Sequence, residues 1–400
     1  MAPPETEKLW NKEYIKVMAA NFTLFFAFYI LTPLLPIYLS EHFGATKDVI
    51  GLTLSGYAVA ALLFRPFSGY IVDSFDRKKV LVFFMVVSFL FYGLYLVAGT
   101  LLLFTVVRTL HGGPFGASTV ANSTVAIDVL PSSRRNEGIG YYGLSNNIAT
   151  AIAPSVGIAL YKWTGNFNVL FLVALIFALM SAVFAVSVKL PKRVPVVDKR
   201  KISLDRFFLT RGWFLGVNMV LFALCYGVLS NYLAIYAKEV LGITAGSGTF
   251  FLILSSGLIL SRLQGGKSLR EGNLVRHSGV GILISTVGYT LFVVSPHPVC
   301  FYGAALLVGL GNGHMWPGFQ NMIISVARHN ERGTANSTLL TSWDLGMGLG
   351  IVLGGVMAEH VGYTAAFWGV VAVHVIGVAM FFAVTRKLFV ARMAELPSEL

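Results

Sequence analysis

One carboxylate, Asp344, stands near the middle of the apolar run 333–358. It lies about 11 residues into the run, so about 16 Å from the inner boundary at the helical rise. A lone charge at that depth in hydrocarbon is expensive, and an ionisable group kept there points to function. A carboxyl group whose solvation changes can gain and lose a proton, which is the chemistry that proton coupling needs. His314, in the run 299–326, lies about 12 residues, or 18 Å, from its own inner end, at matching depth. It is the expected partner of Asp344. Arg108 and His111 stand one helical turn apart in the run 101–129. Arg108 keeps its proton, so it would act as a fixed positive charge that tunes a nearby acid or holds an anionic group.

Other polar side chains dot the runs: Asn21, Asn122, Asn146, Asn147, Asn218, Tyr226, Asn231 and Gln320. Aromatic Phe22, Phe115, Trp316 and Trp343 accompany them. A mostly apolar cavity with a few orienting polar groups suits small amphipathic molecules. Nothing here resembles a catalytic centre. The chain has no Walker loop, no His-Glu-x-x-His and no Gly-x-Ser-x-Gly. Gly346-x-Gly348-x-Gly350 follows no strand, so it reads as helix packing and not as a dinucleotide loop. Cys225 and Cys300 imply neither a disulfide framework nor a zinc site. Enzyme activity, a metal and a resident cofactor are therefore not expected.

The elements that must position these residues are membrane helices. Of the 400 residues 56% are apolar and 12% charged, too little polar surface for a soluble fold. Windows of about 20 apolar residues give twelve spans. They run 15–38, 47–72, 78–98, 101–129, 137–161, 167–188, 211–236, 246–266, 273–295, 299–326, 333–358 and 364–385. With the N-terminus inside, inner segments carry 24 Lys and Arg, outer loops only Lys47, Lys162 and Lys238, and the spans Arg65, Arg108 and Arg262. That bias places both termini in the cytoplasm. It also accounts for the net charge of +12 without nucleic acid. The first run continues into Pro33-Leu-Leu-Pro36 with no small-residue cleavage pattern, so no cleavable signal is expected.

A Pro- and charge-rich segment at 191–210 divides the chain into halves, 1–190 and 211–400, of six spans each. The halves echo each other. Arg65-Pro-Phe-Ser-Gly69 answers Arg262-Leu-Gln-Gly-Gly266, 197 positions apart. Leu110-His-Gly-Gly113 answers Leu310-Gly-Asn-Gly313, and Asn136-Glu137-Gly138 answers Asn330-Glu331-Arg-Gly333. Repeats of this kind typify secondary transporters, whose sites lie near mid-bilayer.

The loop Gly69-Tyr-Ile-Val-Asp73-Ser-Phe-Asp-Arg77-Lys78-Lys79 resembles the signature loop of the major facilitator superfamily. Ser74 stands where that family has a basic residue, and Asp76 where it has glycine. Arg108-Thr-Leu-His111-Gly112 is similar to the family's Arg-x-x-Gln-Gly element, with His111 for Gln. Ala149-x-x-x-Ala153-Pro154-x-x-Gly157 is similar to its antiporter motif, with alanines for glycines. Arg332-Gly-Thr-Ala-Asn-Ser-Thr338 through Asp344-Leu-Gly-Met-Gly-Leu-Gly350 resembles bacterial drug:proton efflux permeases. The resemblance implies an all-α membrane protein with twelve helices in two six-helix pseudo-symmetric bundles. It also implies that Asp73, Arg77 and Asp128 form a charge cluster that latches the bundles when the cavity faces outward. Gly69, one turn before Asp73, would let another helix approach there.

The reading is a monomeric, proton-coupled antiporter of the bacterial cytoplasmic membrane. It exports a small amphipathic drug or metabolite, with protons, substrate and lipid as its partners. An importer or facilitator of sugars or other metabolites is the alternative; a membrane receptor without flux is the alternative from another class.

Overall fold

Pro33 and Pro36 interrupt the first apolar run, so it forms two helices where the sequence reads as one span. α1 (Lys12–Leu31) ends in a turn, and α2 (Leu35–Phe43) restarts with a proline in its first two positions. Proline lacks the N–H that a continuing helix needs but fits its first turn. The computed structural model describes residues 8–45, 47–190, 207–243, 246–295 and 297–395. The expected linker lies outside them as far as residue 206.

The chain continues through α3 (Lys47–Ser74), α4 (Arg77–Val97), α5 (Leu101–Val129), α6 (Arg135–Thr164) and α7 (Phe167–Ser187). After the linker come α8 (Trp213–Glu239), α9 (Gly246–Arg270), α10 (Leu274–Val294), α11 (Pro298–Ser325) and α12 (Arg332–Val361). α13 (Tyr363–Met380), a π-turn (Phe381–Thr385) and α14 (Arg386–Glu395) close the chain. Polar side chains set the helix starts. Asn11 accepts from the Tyr14 N–H at 2.8 Å, Thr100 from Leu103 at 3.2 Å and Asn166 from Asn168 at 2.9 Å. Each satisfies a first-turn donor that the helix leaves orphaned. Asp76, in the place of the family's glycine, does the same for α4: it accepts from the Lys79 N–H at 2.9 Å.

Among the described residues twelve helices reach 18 residues. Seven of their segments are also apolar enough to cross a membrane by composition: those of α1, α4, α7, α8, α10, α12 and α13. The other five are α3, α5, α6, α9 and α11, which carry more polar residues. In α5 these face protein, since from Phe115 to Ile127 every residue is buried.

The described residues divide into two compact units. The first comprises 1–138, 142–208 and 330–337; the second comprises 139–141, 209–329 and 338–400. The first therefore takes in the start of α12. Its core gathers Tyr38, Tyr92, Tyr95, Phe104 and Phe171; that of the second gathers Phe250, Phe292, Phe301 and Phe367. A glycine within each of the echoed segments 110–113 and 310–313 brings two helices together in its own unit. A Cβ on Gly112 would overlap the Tyr57 carbonyl oxygen and stand 3.1 Å from Ala60 Cβ, so α5 lies directly on α3. A Cβ on Gly313 would stand 2.8 Å from Ser261 Cβ, so α11 lies on α9 in the same way. Gly112→Val should lower stability by about 1–3 kcal/mol, since the overlap is with backbone that cannot yield. Thermal unfolding of the detergent-purified protein checks this.

Candidate functional site

The first unit concentrates charge where α3, α4, α5 and α12 end or begin. Asp73 Oδ1 accepts from Arg77 Nη2 at 2.8 Å and from the Gly333 N–H at 2.9 Å. Its Oδ2 accepts from the Thr334 N–H at 2.8 Å and the Thr334 hydroxyl at 3.0 Å. Gly333 and Thr334 belong to the first turn of α12. Asp73 thus acts as the N-cap of a helix that starts some 260 residues later. A carboxylate is favoured there by the helix dipole as well as by the hydrogen bonds. Arg77 reaches on to Asp128, donating from Nη1 at 2.6 and 2.8 Å, and Arg332 Nη1 donates to Asp128 at 3.0 Å. Only 2% of the Arg77 side chain is exposed. Gly69 makes room for α12: a Cβ there would stand 2.7 Å from Ser337 Cβ and 2.9 Å from the Gly333 carbonyl oxygen. The Ser337 hydroxyl donates to the Arg65 carbonyl, and Asn336 Nδ2 donates to Thr124 Oγ1 at 3.1 Å.

Deeper in the same unit lies a buried cation. Arg108 is 4% exposed and donates from Nη1 to the Tyr95 hydroxyl at 3.2 Å. Its guanidinium carbon sits 4.1 Å from the Tyr57 ring centroid and 5.5 Å from that of Phe28. The Tyr95 hydroxyl also meets His111 Nδ1 at 2.8 Å, and the His111 ring stacks on Phe91. Aromatic faces and one hydroxyl therefore hold Arg108, and among the described residues no carboxylate pairs with it. Tyr95→Phe removes the hydroxyl that Arg108 and His111 share. It should cost about 1–3 kcal/mol through the unsatisfied buried donor, read as a fall in the unfolding temperature.

Asn21 and Asn122 enter a different network. The Tyr142 hydroxyl donates to Asn21 Oδ1 at 2.7 Å. Asn122 Nδ2 donates to Tyr142 Oη at 2.9 Å, and Asn21 Nδ2 to Ser145 Oγ at 2.9 Å. Both asparagines are buried, and this network ties α1, α5 and α6 together. Asn146 and Asn147 are half-buried on α6, and Asn147 Nδ2 has no hydrogen-bond partner. Phe22 packs on Phe26, and Phe115 on Phe25, Phe28 and Tyr57.

In the second unit, Asp344 is half-buried on α12. Trp343 beside it meets the Trp316 ring edge-on at 5.0 Å between centroids and the Tyr226 ring at 5.6 Å. Three of the expected cavity residues thus form one aromatic group, and Asp344 follows one of them, Trp343, in the chain. Gln320 is buried one turn beyond Trp316 on α11. Asn218 is spent on structure: its Nδ2 donates to the Gly377 carbonyl at 3.0 Å, and its Oδ1 accepts from Thr385 at 2.9 Å. It braces α8 against the π-turn. His314 meets His277 edge-to-face, with centroids 4.8 Å apart. His277 is only three residues past the start of α10, although His314 is 11 residues from the end of α11. α11 overshoots its neighbours at that end, so a depth counted along α11 alone exceeds the depth measured from α10.

Sequence reading missed Tyr57 and Tyr95 around Arg108, Tyr142 and Ser145 around the asparagines, and His277. It also missed the donor role of Gly333 and Thr334. The signal for that pair was present, since small polar residues follow Arg332 where a helix must start.

Long apolar helices with polar clusters held inside them define a multi-pass membrane protein. The chain belongs to the Major Facilitator Superfamily, whose sequence model matches residues 17–277 and 275–392. It is 24% identical over 367 residues to the staphylopine export protein of Staphylococcus aureus (strain Mu50 / ATCC 700699), covering 88% of this chain and 90% of that one. It is 23% identical over 362 residues to the uncharacterized MFS-type transporter YhhS of Escherichia coli (strain K12), covering 88% and 87%. Its fold is similar to the crystal structure of the human organic anion transporter MFSD10 (TETRAN). The TM-score is 0.79 at 17% identity, covering 92% of this chain and 98% of that chain. The protein is thus an all-α transporter of the superfamily fold, acting on small molecules.

Proposed function

We propose that the protein exports a small amphipathic drug or metabolite in exchange for protons, by alternating access, as a monomer in a bacterial cytoplasmic membrane. The observation that carries this reading is Asp344, a half-buried acid near the middle of α12 that directly follows Trp343, whose ring packs with those of Trp316 and Tyr226. The rings offer an apolar surface to a substrate, and the carboxyl group offers a proton site within reach of the same space. Binding of one then disfavours the other, which is what exchange requires.

The charge cluster supplies the switch. Withdrawing α12 from Asp73 strips three hydrogen bonds from a carboxylate whose side chain is 10% exposed. The cluster therefore stabilises the end state open to the outside and weakens the other, and only such differential energy shifts conformers. The halves 1–190 and 211–400 are the moving bodies of this scheme, joined by the linker 191–210. The 24-to-3 bias of Lys and Arg supports cytoplasmic termini. The relative named for staphylopine export supports the outward direction.

A thermal-shift screen of amphipathic compounds supplies a substrate. Proteoliposomes loaded with it then decide the mechanism. An inward proton gradient should speed loss of the compound from the lumen. Loss at the same rate with and without the gradient would make the protein a facilitator.

A further inference from the structure

A cavity of about 360 Å³ opens where α9 ends and α10 begins, and of the residues expected to couple protons it includes only His314. Its floor is the His277–His314 pair. His277 is 5% exposed, yet its Nε2 has no hydrogen-bond partner. A Cβ on Gly265 would stand 2.7 Å from His277 Cε1, and 3.4 Å from His277 Nε2 and from His314 Nδ1, so both imidazoles pack directly on that glycine and line the cavity beside it. Lys267 and Arg276 stand at the rim, and Ser268 adds a hydroxyl. The one acid, Glu271, is already engaged: it lies 4.0 Å from Lys267 and accepts from Asn273 Nδ2 at 3.3 Å. The first turn of α10 adds the partial positive charge of its orphan N–H groups. Arg276 and a helix start, with Lys267 shared between Glu271 and the cavity, leave the site with net positive charge, and the two imidazoles add ring nitrogens beside it; together these favour an anion.

The surroundings say where that anion comes from. Val280 lines the cavity and is 47% exposed. Leu283 and Val287 continue the same face of α10, at 49% and 58% exposure, and Leu260 and Leu263 stand exposed on α9. An apolar stripe thus leads from the cavity along helices whose neighbour is lipid. A soluble phosphate compound would use the floor and leave the stripe without a role. Basic pockets between membrane helices at the headgroup level are suited to anionic lipids. We infer that this cavity holds the phosphate group of an anionic membrane lipid, with an acyl chain lying along Val280, Leu283 and Val287.

The test reconstitutes the full chain in nanodiscs of phosphatidylglycerol or of phosphatidylcholine and counts retained lipid by native mass spectrometry. The wild type should keep phosphatidylglycerol in preference to phosphatidylcholine. Arg276→Gln and Lys267→Gln, both at exposed positions, should each cut that retention by about fivefold. His277→Gln should do so as well; because it is buried, only the two exposed variants, checked for monodisperse elution, decide the outcome. Equal retention by wild type and both exposed variants would overturn the site. Equal retention of the two lipids would do the same. A thermal shift with inorganic phosphate in lipid-free detergent that disappears in Arg276→Gln would overturn the lipid source and make this a soluble-phosphate site.

Discussion

Asp344→Asn brings proton-driven transport down to the level of protein-free liposomes while the protein still inserts and binds substrate. The amide matches the shape of the neutral carboxyl group but cannot ionise, so it imitates one of the two states that the cycle needs. Substrate exchange across the membrane without a gradient needs no change of protonation, and it survives in the variant. The check is a pair of measurements on one preparation: gradient-driven flux, which falls to background, and counterflow, which persists. Loss of both would mean that Asp344 holds the fold or the substrate. Retention of both would remove it from coupling.

Arg77→Ala has a comparable effect by another route. It removes the one cation that bridges Asp73 and Asp128 and leaves two carboxylates with little access to water. Removing one partner of a buried ion pair costs about 3–5 kcal/mol, because the remaining charge stays desolvated. Both end states bear part of that cost, but α12 shields the carboxylates from water only in the state in which it sits on Asp73, so the difference moves the balance away from that state. The readout is alkylation of a cysteine placed at Ser337, fully buried here, with Cys225 and Cys300 replaced by alanine. Labelling should be much faster in Arg77→Ala than in its parent. Asp76→Asn, which touches only the cap of α4, should leave labelling unchanged. An unchanged rate in Arg77→Ala would mean that the cluster does not hold a conformer.

How much of this was legible in the sequence follows from what lipid demands. A segment crossing hydrocarbon must satisfy its own backbone, so the spans read as long, mostly apolar helices, seven of them apolar enough by composition alone. The span limits expected at 101–129 and 299–326 fall within a residue of α5 and α11. The break between α1 and α2 was written in Pro33 and Pro36 and was passed over because apolar residues continue through it. The residue types of the charge cluster were legible, but its donors from α12 were not, because nothing local to Asp73 points 260 residues ahead. Side-chain direction was the least legible feature. Helices that are apolar nearly all round show no face by periodicity, so a polar residue is visible while its partner is not. Asn21, Asn122 and Asn218 read as cavity residues for that reason, and the structure gives them to Tyr142, Ser145, Gly377 and Thr385. His314 read as a mid-membrane neighbour of Asp344, and it is brought to His277.

Proton exchange is the claim on which the functional account turns, and lumenal pH tests it most directly. Proteoliposomes carrying a trapped pH-sensitive dye are given substrate outside, with no gradient imposed. An antiporter moves the substrate in and protons out, so the lumen should turn alkaline, and Asp344→Asn vesicles should show no change. A lumen that turns acidic, or a wild-type signal no larger than that of the variant, would contradict exchange.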